Sequence, residues 1–347
     1  MTETITEIES YDRQGNLQVD ELLAQEGIRR DGNLDYTCGI FDDDWNLIAT
    51  GSCFHNTIRC LAVSSRHQGE GLLNQVISHL MDVQMSRGNS HLFLYTKPSA
   101  AKFMSDLGFY EIARVGGTLV FMENRRDGFT HYCSNLMQKQ RDGERIAGIV
   151  MNANPFTNGH LHLVEQASRE NDVVHLFILS EEAGPIPFSV RRQLVRQGVA
   201  HLSNVICHDS GPYMISSATF PSYFLKDSDC AIQAQAELDL LVFGKIAACL
   251  GIQRRYVGQE HSSHVTALYN SVMARKLPQL DIDYIEIPRL AFRDQLISAS
   301  TVRQAIHDGR LEDIRPLVPE STYTFFASEE GKTVCTALQA EENVIHY

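Results

Sequence analysis

The feature that most constrains this chain is an alternation that runs through its second half. Short, largely apolar runs, "RIAGIVM" (145–151), "DVVHLFIL" (172–179), "NVIC" (204–207), "RRYVG" (254–258) and "DYIEIP" (283–288), are separated by longer stretches whose apolar residues recur at helical spacing. Strands that are apolar on both faces need cover on both faces, and strands joined through helices run parallel. The pattern predicts a doubly wound α/β domain over residues 144–347, with helices at about 160–170, 189–201, 235–250 and 265–276. One long insertion, "GPYMISSATFPSYFLKD" (211–227), interrupts the series.

The first third follows another plan. "DYTCGIF", the turn "DDDWN", "LIATGSCF" and "IRCLAV" read as a strand meander, and a helix is expected over Leu72–Met85, where Leu73, Val76, Ile77 and Leu80 fall at i, i+3, i+4 and i+7. "HLFLYT" and a short helix from Ser99 to Leu107, closed by Gly108, complete an α+β domain over residues 1–130. Between Glu123 and Glu144 the apolar periodicity fades and charge gathers, which suits a domain boundary. With 43% hydrophobic residues in 347, there is material for two cores.

Charge and cysteine usage exclude several functions. A formal charge of −13 disfavours a nucleic-acid or anionic-membrane surface, since phosphates call for clustered Lys and Arg. The 8 cysteines are scattered without C-x-x-C or zinc spacing, so reduced thiols in the core are expected and no metal site. The start, "MTETITEIESYDRQ", lacks the basic and apolar regions of a signal peptide, and no run is long and apolar enough to span a membrane, so the expected location is the cytoplasm.

Two stretches carry chemistry in the second domain. "NANPFTNGH" (152–160) follows the first strand, at the corner where such sheets bind phosphate on a helix N-terminus. Pro155 stiffens the turn, Gly159 allows close backbone approach or positive φ, and His160 falls in the first helical turn. An ordinary turn capped by Thr157 or Asn158 is the simpler alternative. "ISASTVR" (297–303) opens another helix after a strand, presenting Ser298 and Ser300 with Arg303 one turn on; a capping pair with a surface Arg is its plain reading.

Together, Thr157–His160 and Ile297–Arg303 resemble the HxGH and ISSTxxR signatures of the nucleotidylyltransferase superfamily. The resemblance implies a Rossmann-like ATP-binding domain in which an acceptor anion attacks the α-phosphate of ATP and pyrophosphate leaves. It further implies that His160 bonds the α- or β-phosphate, that Thr157 helps to hold the phosphate chain, and that Ser298, Ser300 and Arg303 hold the pyrophosphate. Asn154, Phe156, Asn158 and Gly159 would complete the loop around ATP, with Mg2+ bound through the phosphates. The chain lacks the lysine that some relatives use after the second strand, where Glu181 and Glu182 stand; Arg191 or Arg192 is the expected substitute.

In the first domain, "VSSRHQGEGLL" places Arg66, Gly69 and Gly71 in an R/Q-x-x-G-x-G/A pattern between a strand and a helix. This resembles the coenzyme A loop of GNAT acetyltransferases, with Arg66, Gly69 and Gly71 as the implied contacts to a pantetheine-like arm. Where active members carry a tyrosine that protonates the leaving thiolate, this chain has Met104, and a thioether cannot serve as a general acid. A GNAT-like domain that binds without transferring acetyl is the expectation.

Joined, an arm-binding module and an adenylating module suggest a thioester ligase, and "NPFTNGH", "ISSATFPSYFLKD", "RRYVGQE" and "ISASTVR" resemble the citrate lyase ligases over nearly the whole chain. That family implies activation of acetate with ATP to acetyl-AMP and diphosphate. The acetyl group is then loaded on the phosphoribosyl-dephospho-CoA thiol of the citrate lyase acyl carrier protein. In this reading Gly258, in "RRYVGQE", permits close approach of the adenosine, and "ISSATFPSYFLKD" lines the acyl or thiol site. Two rivals stay open: a nucleotidylyltransferase that makes a dinucleotide coenzyme, and a non-catalytic regulator that binds coenzyme A and nucleotide.

Overall fold

The computed structural model describes residues 4–182, 184–215, 220, 228–260, 264–293, 295–341 and 343–344. The chain divides into two compact units, one of Met1–Thr130 with Pro221–Ala234, the other of His131–Phe220 with Gln235–Tyr347.

The first unit is built from β1 (Ile5–Glu7), α1 (Arg13–Gln25), β2 (Tyr36–Phe41), β3 (Leu47–Phe54), β4 (Thr57–Val63), α2 (Leu72–Ser86), β5 (Phe93–Thr96), α3 (Pro98–Asp106), β6 (Tyr110–Val115) and β7 (Leu119–Glu123). Its sheet has the order β1-β2-β3-β4-β5-β7-β6. The meander β2-β3-β4 is antiparallel, as its tight turns require, and β4 meets β5 in parallel through Thr57↔Phe93 and Ile58↔Leu94. The stripe read from the sequence is the one that packs: Val76, Ile77 and Leu80 of α2 are buried. A Cβ on Gly51 of β3 would stand 2.6 Å from Val76 Cγ1 and 2.9 Å from Leu80 Cδ1, so the glycine sets how closely α2 lies on the sheet.

Helix α4 (Gly128–Met137) follows. It corrects the expectation of an aperiodic link: Cys133 and Leu136, three residues apart, bury one narrow face of an otherwise polar segment. The second unit then runs β8 (Ile146–Met151), α5 (Asn158–Glu170), β9 (Val173–Ile178), α6 (Phe188–Gly198), β10 (Val205–Asp209), α7 (Ser228–Leu250), β11 (Arg254–Gly258), α8 (His264–Lys276) and β12 (Asp283–Ile287). A hairpin, β13 (Ala291–Phe292) and β14 (Gln295–Leu296), leads to α9 (Ala299–His307), α10 (Glu320–Ala327) and α11 (Glu329–Ala340).

The five-stranded sheet has the order β10-β9-β8-β11-β12 with every pairing parallel. This is the doubly wound α/β fold expected from the alternation. The winding reverses between β8 and β11, and the crevice beyond the strand ends at that reversal is where such sheets bind ligands. The last two helices were not foreseen, and their Phe326, Val334 and Leu338 join the same core as Ile149 and Leu176 of the central strands. The segments 216–219 and 221–227 lie outside the described residues, and with them most of the stretch expected to line an acyl or thiol site. Among the described residues no helix is long and apolar enough to cross a membrane.

Candidate functional site

The loop after β8 is fixed before it meets any ligand. Buried Arg191 of α6 donates from Nη1 to Asn152 O (2.8 Å), Asn152 Oδ1 (2.6 Å) and Leu179 O (2.9 Å), and from Nη2 to Glu181 O. Arg303 of α9 donates from Nη1 to Asn154 O and from Nε to Val344 O at 2.6 Å. Phe156 fills the space left by Gly198, where a Cβ would come within 2.4 Å of the ring. Ala153 takes φ of 52° and the Asn154–Pro155 peptide is cis. The loop therefore arrives at α5 with its carbonyls held by two guanidinium groups and its aromatic residue in the core.

Thr157 then caps α5, in a reciprocal arrangement. Its Oγ1 accepts from His160 N at 3.3 Å while its own N–H donates to His160 Nδ1 at 3.1 Å. A ring nitrogen that accepts from an amide carries no proton, so the neutral imidazole bears its proton on Nε2. Burial, reinforced by the positive charge of Arg289, pushes the His160 pKa down to about 4. At neutral pH the residue is thus an uncharged N–H donor of fixed tautomer, standing in a cleft of about 470 Å³.

The opposite rim of this cleft is the start of α9. Ser298 is the cap, accepting from Thr301 N at 3.0 Å, with Ser300 Oγ 2.9 Å from its hydroxyl. Thr157, Gly159, Ser298 and Ala299 all line the cleft, so two helix N-termini with their partial positive charge open on the same space. Arg289 adds a full cation, paired with Glu260 at 2.6 Å. Gly159 lies within α5, where a Cβ would meet Ile297 O at an ordinary 3.5 Å and no positive φ arises, so of the two uses foreseen the close approach of backbone to cleft remains. Gly258, at the end of β11, lines the cleft, and a Cβ added there would meet nothing within 4 Å.

The expected residues separate into two sets. Thr157, Gly159, His160, Gly258 and Ser298 line the cleft. Asn154, Phe156 and Arg303 are buried away from it, and Ser300 touches it only through Ser298. Asn158 lines a smaller recess, its amide donating to Pro316 O at 3.1 Å. Neither substitute for the missing lysine reaches the cleft: Arg191 is spent on loop carbonyls, and Arg192 pairs with Asp209 at 3.0 Å.

Sequence reasoning passed over Arg255, Arg289, Asp239 and Tyr269, all of which line the cleft. The double arginine before an apolar pair in "RRYVG" was the available signal, because alternation along β11 must send one of the two into the interior. Glu181 also lines the cleft; burial pushes its carboxyl up to about 6 against the pull of Arg191, and Asn152 Nδ2 donates to its Oε1 at 3.2 Å.

The first unit carries its own recess, of about 520 Å³, lined by Gly69, Gly71, Leu72, Asn74 and Phe103 among others. Gly69 and Gly71 take φ of 90° and 79°, conformations open to glycine, and Gly71 caps α2 without any side-chain bond to its first amides. Arg66 is exposed and does not line the recess, whereas Met104 is buried in α3.

The chain is similar to known proteins. Residues 146–326 match the family model described as the citrate lyase ligase C-terminal domain. The citrate (pro-3S)-lyase ligase of Haemophilus influenzae is 37% identical over 88% of this chain and 93% of its own. That of Escherichia coli is 37% identical over 86% of this chain and 88% of its own. A solved acetyltransferase of the GNAT family from Staphylococcus aureus, 14% identical, superposes on 35% of this chain and 100% of its own with a TM-score of 0.30.

Proposed function

The chain belongs to the citrate lyase ligase family, and from that premise we propose how its two units divide an ATP-dependent acetylation of citrate lyase. In the second unit, the cleft between the starts of α5 and α9 takes ATP. A carboxylate oxygen of acetate attacks the α-phosphorus, the bond to the β-phosphate bridging oxygen breaks, and acetyl-AMP and diphosphate result. The thiol of the acyl carrier protein's phosphoribosyl-dephospho-CoA arm, as thiolate, then attacks the acetyl carbonyl and AMP leaves.

The observation that carries this reading is the fixed tautomer of His160. A neutral ring with Nδ1 tied to Thr157 N can only donate from Nε2, which suits an oxygen gaining charge on the α-phosphate and does not suit proton abstraction. Acetate is already ionised at neutral pH, so the adenylation step needs no base. Ser298 and the amides of Gly159 and Ala299, which line the cleft at the starts of α5 and α9, add donors for the leaving diphosphate, while Arg289 supplies positive charge. Arg303 and Arg191 act at one remove, holding the carbonyls of Asn154 and Asn152 and so the position of the loop.

Mg2+ would enter on the phosphates, where it neutralises their charge. Glu181, whose Oε2 has no hydrogen-bond partner, is the cleft carboxylate available to such an ion. In the first unit the recess at Gly69 and Gly71 offers uncapped amides to the diphosphate of the thiol arm.

The test is exchange of labelled pyrophosphate into ATP. Exchange that requires acetate supports adenylation of a carboxylate; exchange driven by a phosphorylated acceptor would favour synthesis of a dinucleotide coenzyme. Absence of exchange under both conditions would leave a binding regulator, and release of ADP would exclude attack at the α-phosphate.

A further inference from the structure

Arg255 is the least expected group in the cleft. It lies on β11 with 4% of its surface exposed, its guanidinium 4.3 Å above the ring of Phe243 from α7. Its Nε and Nη1 have no hydrogen-bond partner. The adjacent carboxylate does not satisfy it. Buried Asp239 spends Oδ1 on Ile215 N (3.0 Å) and Oδ2 on the Tyr269 hydroxyl, so it balances charge without bonding to the guanidinium. Burial draws the Arg255 pKa down and raises that of Asp239, in keeping with two charges removed from water.

A buried guanidinium with idle N–H groups is costly unless a ligand completes it, and the planar fork matches the paired oxygens of a carboxylate or a phosphate. The surroundings favour a short ligand with an apolar tail: Ile215, Val257 and Met273 line the cleft with Arg255 and Gln235. His160 and Ser298 border the same space, so a carboxylate held at Arg255 shares one cavity with the proposed phosphate donors.

We propose that Arg255 is the carboxylate anchor of the acyl substrate. It binds the oxygen that does not attack phosphorus and offsets the repulsion between carboxylate and triphosphate, while Asp239, held by Ile215 N and the Tyr269 hydroxyl, is the counter-charge that keeps the cation in place. This rests on the adenylation reading above and names the residue that selects its acceptor.

The test uses the full-length protein and two variants, Arg255→Lys and the charge-neutral pair Arg255→Gln with Asp239→Asn, which removes the buried cation together with its counter-charge and guards against misfolding. The expected result is a KM for acetate raised at least thirtyfold in both, a KM for ATP changed less than threefold, and partial recovery of the paired variant by added guanidinium ion. In the unmodified protein, acetate with an unreactive ATP analogue should raise Tm and the neutral isostere acetamide should not. A larger change in the KM for ATP than for acetate would make Arg255 a phosphate ligand and overturn the proposal, as would an unaltered KM for acetate. Equal stabilisation by acetamide would overturn it as well. Exchange independent of acetate in the unmodified protein would instead overturn the functional reading on which it rests.

Discussion

Both units offer a helix N-terminus to an anion, and the two corners are built by different means. At α5 the cap is a side chain, Thr157, which reciprocates with His160 and thereby fixes where a proton sits. At α2 the cap is Gly71, with φ of 79° and no side-chain bond, so the corner consists of backbone alone. A backbone corner binds phosphate whatever the pH and carries no side-chain donor with a fixed proton. A side-chain corner can place a donor where charge develops. Under the proposed reading the second unit performs the chemistry and the first retains the thiol arm, although the same electrostatics serve both.

The largest effect should come from removing the donor. His160→Ala is expected to lower acetate-dependent pyrophosphate exchange by about a hundred- to a thousandfold with the circular dichroism spectrum unchanged. A loss below about tenfold would mean that backbone amides suffice in both corners, and the contrast would collapse.

Acid should separate the units next. His175 and His208, in the second unit, face each other at 2.9 Å with pKa values pushed down by burial to about 4 and about 3. No histidine of the first unit is buried among the described residues. Both are held neutral in the fold, so their contribution is complete above the unfolded value of about 6.5 and is lost as pH falls toward the folded values. Going from pH 7 to 5 should cost the second unit about 2 kcal/mol or more. Hydrogen exchange should show β9 and β10 opening before the sheet of the first unit, and the reverse order would contradict the assignment.

A smaller effect is expected at the backbone corner. Gly71→Val forces an L-residue into positive φ, a strain of about 1–2 kcal/mol, and should weaken thioester formation by roughly tenfold while leaving exchange intact. The smallest is a predicted absence of change. With His160 held near pKa 4, the exchange rate should show no inflection between pH 6 and 8 from this residue; one that vanished in His160→Asn would make it an acid–base group after all. Met104→Tyr should likewise confer no acetyl transfer, because Met104 is buried and does not line the arm recess.

What could be read in advance follows the same division. Local patterns were legible: the alternation that yields the β10-β9-β8-β11-β12 sheet, the stripe of α2, and the capping roles of Thr157 and Ser298. Partnerships across the fold were not. "ISASTVR" cannot say that Arg303 turns inward to Asn154 O, although its place between buried Val302 and Ala305 on α9 was a hint. Arg191 looked like a phosphate ligand because its carbonyl partners lie in three separate segments. The idle N–H groups of Arg255 depend on Asp239 spending both oxygens on Ile215 and Tyr269, partners distant in sequence. Helix α4 was missed because two buried side chains, Cys133 and Leu136, are too few to make a periodic signal.

The most direct measurement is pyrophosphate–ATP exchange with acetate and no thiol acceptor, run in parallel on the unmodified chain, His160→Ala and Gly71→Val. Equal exchange in the unmodified and Gly71→Val proteins, with exchange lost in His160→Ala, is the expected result. Exchange that persists in His160→Ala, or that fails in Gly71→Val while the protein remains folded, would contradict the division of labour between the two corners.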